Sequence, residues 1–218
     1  MPRDVYFDLD GTLTDPFQGI TLSIQYALRE LSADVPPQQD LAAYIGPPLR
    51  AGFSRLLGTT DSVRVERAVT LYRERYAEIG LFENHVYDGV PFMLETLTLR
   101  GHTLLMATSK PRVYAERIAE QFGLAGYFKE IFNSELDGRL DDKRELLAHA
   151  LTLHPFKSSP SLMIGDRDFD VNAARVNGMN SIGVSYGYGS REELTSAGAD
   201  SICDSPPEVA ERASERTD

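Results

Sequence analysis

The stretch Val5-Tyr6-Phe7-Asp8-Leu9-Asp10-Gly11-Thr12 sets two carboxylates and a glycine directly behind a hydrophobic run of strand character. In an open α/β sheet the ligand crevice lies at the carboxyl ends of the strands, so Asp8 and Asp10 are expected at its mouth. Gly11 lets the backbone turn sharply there.

Later segments repeat the arrangement. The run His102-Thr103-Leu104-Leu105-Met106-Ala107 reads as a buried strand that passes into Thr108-Ser109-Lys110-Pro111 and then an amphipathic stretch from Val113 to Phe122. Pro111 suits a first helical turn, and the amides and positive dipole end of that helix suit a phosphate group. Ser161-Leu162-Met163-Ile164-Gly165 is another short apolar run and ends in Asp166-Arg167-Asp168-Phe169-Asp170. Between these two, Lys143 opens a helical segment through Leu146, Leu147, Ala150 and Leu151.

Asp-x-Asp-Gly-Thr, then a hydroxyl at Thr108, then Lys143, then Gly-Asp-x-x-x-Asp at 165–170, resembles the four motifs of the haloacid dehalogenase-like superfamily, in the same order. The Thr-Ser-Lys-Pro and Gly-Asp-Arg forms look like its phosphoglycolate phosphatase and 5′-nucleotidase branch. The resemblance implies a phosphomonoesterase for a small phosphorylated metabolite. Asp8 would attack phosphorus and form an aspartyl-phosphate, splitting one difficult displacement into two easier ones. Asp10 would act as general acid and then general base. An aspartate at that second position favours phosphatase or phosphomutase chemistry over the relatives that cleave carbon-halogen bonds.

Several carboxylates facing a phosphate repel it unless a cation intervenes, and Mg²⁺ suits an all-oxygen site. By resemblance its ligands are the Asp8 side chain, the Asp10 backbone carbonyl and the Asp166 side chain, with Asp170 supporting. Asp168 stands between ligand and helix cap. Gly11, Thr12, Thr108, Ser109 and Lys143 would bind the phosphoryl group, with Lys143, the Thr108 hydroxyl and the Ser109 amide as preorganised donors. A phosphomutase of the β-phosphoglucomutase type shares all of these carboxylates. A non-catalytic phosphometabolite-binding protein would normally have lost some of them.

The segment between the first two motifs reads as helical. Asp15-Pro16 is a helix start, and Phe17, Ile20, Ile24, Ala27, Leu28 and Leu31 recur at helical spacing. A polar break covers Asp34 to Gln39, a short helix Asp40 to Tyr44, and another helix follows Pro47-Pro48 with Leu49, Phe53, Leu56 and Leu57. From Asp61 to Ile79 the residues Val65, Val69, Tyr72, Tyr76 and Ile79 form one apolar stripe. No convincing strand lies between Phe17 and Leu81. An all-helical insertion of roughly 65 residues is the size of a small subdomain. It resembles the family's helical cap, which implies that it selects the substrate. The expected division is a core of 1–15 and 83–218 and a cap of 16–82. Within the cap, Ile45-Gly46-Pro47-Pro48-Leu49-Arg50 is a rigid turn, with Gly46 and Arg50 as candidate substrate contacts.

The chain returns near Asn84 to Gly89, and a helix from Val90 through Leu99 follows. Strands near Glu130 to Asn133, Ser181 to Val184 and Ser201 to Cys203 then alternate with helices from near Lys143, Asp168, Ser190 and Pro207, the pattern of a parallel, doubly wound sheet. Ser185-Tyr186-Gly187-Tyr188-Gly189-Ser190 reads mainly as a structural turn, with Tyr186 at the entrance. His85, His102, His149 and His154 show no ligand spacing, and most are expected at the surface. The last few residues read as a frayed tail.

The 218 residues suffice for one substantial core and a small cap. A single cysteine, Cys203, rules out an intrachain disulfide framework and points to a buried thiol in a reducing compartment. The first strand begins almost at once, leaving no room for a signal peptide, so the expected location is cytoplasmic. A net charge of -11 disfavours nucleic acid and anionic membranes. A monomer or homodimer is expected.

Overall fold

In the computed structural model, which describes residues 2–155 and 160–215, the opening apolar run is β1 (Asp4–Phe7), buried along its whole length. The chain continues through β2 (Thr14–Asp15), α1 (Phe17–Glu30), α2 (Gln38–Leu41), α3 (Leu49–Leu56), α4 (Ser62–Arg75) and β3 (His85–Val86). Next come α5 (Val90–Leu99), β4 (Thr103–Pro111), α6 (Arg112–Gln121), β5 (Glu130–Ser134) and α7 (Lys143–Leu153). The last elements are β6 (Leu162–Gly165), α8 (Asp168–Val176), β7 (Asn180–Val184), α9 (Arg191–Ala197), β8 (Ser201–Cys203) and α10 (Pro206–Arg212). The frayed tail expected at the C-terminal end falls mostly outside the described residues.

Six strands form one sheet in the order β5-β4-β1-β6-β7-β8, every pair parallel. After β5 the chain crosses back over β1 to lay down β6, so the strand order reverses around β1. A crevice opens at such a switch point, at the strands' carboxyl ends. One sheet face is sealed by α7 and α8, whose Leu146, Leu147, Ala150, Ala173 and Ala174 pack on Tyr6, Leu105, Ala107 and Met163. Strands covered on both faces lose the polar alternation of a half-exposed strand, which is why residues 5–7 of β1, 104–107 of β4 and 162–164 of β6 are continuous apolar runs.

The chain divides into two compact units, Met1–Asp15 with Val86–Asp218, and Pro16–His85. Within the first, the Tyr87 N–H donates to the Leu13 carbonyl at 3.1 Å, tying the outgoing chain to the returning one. The second is helical: Ile20, Ile24, Ala27 and Leu28 of α1, Phe53 of α3, Val65, Val69 and Tyr72 of α4, and Tyr76 just after it are buried. The Tyr72 ring stacks on Tyr76 at 5.2 Å and meets Phe53 edge-on at 6.1 Å.

The structure departs from the sequence reading at several points. Ile79, expected on the α4 stripe, is 53% exposed, because Tyr76–Gly80 form a π-helical turn whose extra residue rotates the following side chains off the buried face. The strand expected to end at Ala107 runs on to Pro111, and α6 starts at Arg112 with Pro111 as its cap residue. Of the four histidines His102 is buried, whereas His85, His149 and His154 are not, in keeping with the expectation that most lie at the surface.

Candidate active site

Four strand ends and two helix starts bring the chemistry together. At the end of β1 the Asp8 N–H donates to the Ile164 carbonyl at 2.9 Å, which fixes the turn carrying Asp8 and Asp10. Gly11 has φ +82, and a β-carbon on it would stand 2.2 Å from Asp166 Oδ2. No other residue type tolerates both conditions. Thr12, in the same turn, is wholly buried.

Lys143 is the first residue of α7, whose start is capped by the Asp142 side chain accepting from the Arg144 N–H at 2.8 Å. Its side chain reaches to the sheet, where Nζ donates to Asp8 Oδ1 at 2.7 Å and to the Ala107 carbonyl at 2.8 Å. Asp170 Oδ1 lies 2.9 Å from the same nitrogen. Asp170 is in the first turn of α8, where its Oδ2 accepts from the Arg167 N–H at 3.2 Å. Burial alone would lower the Lys143 ammonium, but Asp170 and Asp8 outweigh it and hold the group above the ordinary lysine value.

One carboxylate oxygen each from Asp8, Asp166 and Asp170 lie within 4.8 Å of one another, all three residues buried. Burial, then Asp170 and Asp8, push the Asp166 carboxyl well above the usual range. Burial also raises Asp170, against the pull of Lys143. Asp166 Oδ2 accepts the Tyr188 N–H at 2.8 Å, whereas Oδ1 is buried with no hydrogen-bond partner among the described residues. Buried, mutually repelling carboxylates with an orphaned oxygen fit a hard cation that takes oxygen ligands.

Asp10 is held apart from this trio. Its Oδ2 lies 2.7 Å from Lys110 Nζ, in an ion pair whose side chains are 13% and 6% exposed. Burial raises the Asp10 carboxyl, with Lys110 opposing. Thr108, also buried, accepts the Lys110 N–H on Oγ1 at 3.2 Å, and the Ser109 carbonyl accepts from the Ser134 hydroxyl at 2.7 Å.

Asp8, Asp10, Gly11, Thr12, Thr108, Ser109, Lys143, Asp166 and Asp170 thus belong to one unit, clustered at strand ends. Gly46 and Arg50 belong to the helical unit, where Arg50 forms a bidentate pair with Glu66. Asp168 is in the first turn of α8, its N–H donating to Glu193 Oε1 at 3.0 Å. Two contacts have no counterpart in the sequence reading. One is the Lys110 pair with Asp10. The other is the turn after β7, where the Tyr188 amide holds Asp166, the Tyr188 hydroxyl meets Asp15 and the Tyr186 hydroxyl donates to the Thr12 carbonyl at 3.0 Å. The glycines at 187 and 189 were the available signal.

The profile of the haloacid dehalogenase-like hydrolases matches residues 5–184. The chain belongs to that family. It is 49% identical over 191 residues to a 5′-nucleotidase from Pseudomonas aeruginosa, covering 88% of this chain and 86% of that one. Tyrosine-protein kinase PtkA of Mycobacterium tuberculosis is 40% identical over 86% of this chain, which spans 64% of that protein's length. Among solved structures, one described as a predicted phosphatase from Clostridium acetobutylicum superposes with a TM-score of 0.92 at 41% identity, covering 98% of each chain.

Proposed function

We propose that this protein is a Mg²⁺-dependent phosphatase that hydrolyses a small phosphomonoester through a phosphorylated Asp8. The observation that carries the reading is the separation of two carboxylates two residues apart, Asp8 on Lys143 and Asp10 on Lys110. Phosphoryl transfer needs a nucleophile and a separate proton donor, and two carboxylates held in different ion pairs support two different roles.

In the first step an Asp8 carboxylate oxygen bonds to phosphorus, the bond from phosphorus to the leaving oxygen breaks, and Asp10 delivers the proton that oxygen needs. In the second, water attacks phosphorus, Asp10 takes its proton, and Asp8 departs as carboxylate. Lys143 neutralises charge on Asp8 and on the transferring group, and the Thr108 hydroxyl and Ser109 amide are donors for phosphoryl oxygens. The Asp8 and Asp166 side chains and the Asp10 carbonyl would hold Mg²⁺, with Asp170 supporting. When bound, the ion supplies the charge screening that lets a phosphate approach several carboxylates.

The 49% identity to a 5′-nucleotidase favours a nucleoside 5′-monophosphate over 2-phosphoglycolate as substrate. Gly46 and Arg50 are proposed substrate contacts of the helical unit. No described helix is long and apolar enough to cross a membrane; the single cysteine, Cys203, is a buried free thiol, and the setting we propose is the reducing cytoplasm. The test is phosphate release from nucleoside 5′-monophosphates, 2-phosphoglycolate and sugar phosphates, with Mg²⁺ and with EDTA. Metal-dependent release from nucleotides supports the reading. Isomerisation of a sugar phosphate without net release would replace it with a mutase.

A further inference from the structure

Lys110 belongs to the Thr-Ser-Lys-Pro segment but has been given no role so far, yet it carries one of the most buried ammonium groups near the site. Between Thr108, which pairs with Asn133, and Pro111, which pairs with Ser134, the register of β4 against β5 shifts. Strand irregularities of this kind re-aim side chains next to active sites. Here the Lys110 N–H turns back onto Thr108 Oγ1, and its side chain lies almost wholly out of solvent against Asp10 Oδ2 at 2.7 Å. The other carboxylate oxygen, Asp10 Oδ1, is buried with no hydrogen-bond partner among the described residues. A buried lysine beside a carboxylate with one oxygen engaged and one orphaned is a costly arrangement unless the orphan has a use.

We propose that Lys110 is a positioning residue for Asp10: it grips Oδ2 and so leaves Oδ1 as the oxygen that gives a proton to the leaving group and takes one from the attacking water. This rests on the phosphatase reading above. In the first step the proton moves from Oδ1 to the leaving oxygen as the phosphorus–oxygen bond breaks. In the second it moves from water to Oδ1 as the new phosphorus–oxygen bond forms. Lys110 takes no part in either transfer and touches neither phosphorus nor the leaving group.

A residue that acts only through the acid matters in proportion to how badly the leaving group needs a proton. The experiment therefore compares a nucleoside 5′-monophosphate, which leaves as an alkoxide, with p-nitrophenyl phosphate, whose phenolate leaves unaided. In the Lys110→Met variant, single-turnover cleavage of the nucleotide should slow by about a hundredfold. The rapid burst of nitrophenolate should slow by less than about threefold, and the steady rate after it should collapse because water activation also uses Asp10. Adding Lys110→Met to Asp10→Asn, which leaves no buried charge unpaired, should cost less than about threefold beyond Asp10→Asn alone.

Equal slowing of nucleotide cleavage and nitrophenolate burst would overturn the proposal, as would equal losses from Lys110→Met with and without Asp10. If the wild-type protein released neither nitrophenolate nor phosphate, the phosphatase reading would fall and this one with it.

Discussion

Gly187 runs so close to Asp166 that a β-carbon on it would stand 2.5 Å from the Asp166 β-carbon, and 2.2 Å from the Gly11 carbonyl oxygen. The next amide, of Tyr188, holds Asp166 Oδ2. Gly187→Ala must push this turn outward and loosen that hydrogen bond. Turnover is expected to fall by about a hundredfold and stability by about 1–3 kcal/mol, read from kcat and from denaturant melts.

Asp8→Asn should abolish turnover, with residual phosphate release at least about a thousandfold below wild type. It also removes one of three facing carboxylates, so its melting temperature should equal or exceed that of the wild type. A melt well below wild type would contradict the repulsion argued for this trio.

Lys143→Met should have the opposite effect on stability. It leaves Asp8 and Asp170 buried without the ammonium that serves both, and breaking such a pair costs about 3–5 kcal/mol. Both stability and turnover should drop, with urea midpoints giving the first and phosphate release the second.

Cation binding can be followed without catalysis. Mg²⁺ at about a hundred times its dissociation constant should stabilise the wild type by about 2.7 kcal/mol, and Asp166→Asn should lose most of that gain. An equal thermal shift in the two proteins would move the ion elsewhere.

His102 gives a pH dependence away from the site. Burial, with Arg3 adding repulsion, lowers its pKa in the folded protein, so the unfolded chain takes up the proton first. Stability is then complete above the unfolded value and falls with acidification, starting near about pH 6.5. His102→Gln should flatten the decline in melting temperature between about pH 7.5 and about pH 5.5, unless other groups dominate the melt, in which case the two curves run parallel and the assignment fails.

Asp8, Asp10, Asp166 and the strands before them were legible because a parallel sheet buried on both faces leaves long apolar runs whose ends are chemically marked. The Lys110 pair with Asp10 was not. A charged residue three positions past an expected strand end is as readily solvated as engaged, and nothing in the sequence announces the register shift that turns it inward. The π-turn at Tyr76–Gly80 escaped for a related reason, since periodicity assumes a constant turn and one added residue moves Ile79 to the outside. Strands of two residues such as β2 and β3 are too short to leave any period. Arg50 was picked out as a lone cation, but its engagement by Glu66, sixteen positions on, depends on how α3 meets α4.

The backbone bond from Tyr87 to Leu13 means that the reacting unit closes its own seam before the chain departs and after it comes back. The helical unit, Pro16–His85, is spliced between those points and adds no strand to the six-stranded sheet that carries Asp8 and Asp166. Such a segment can lengthen, shorten or be exchanged over many generations while the reaction centre is inherited intact. A lineage built this way can diversify by replacing the passenger and leaving the machinery alone.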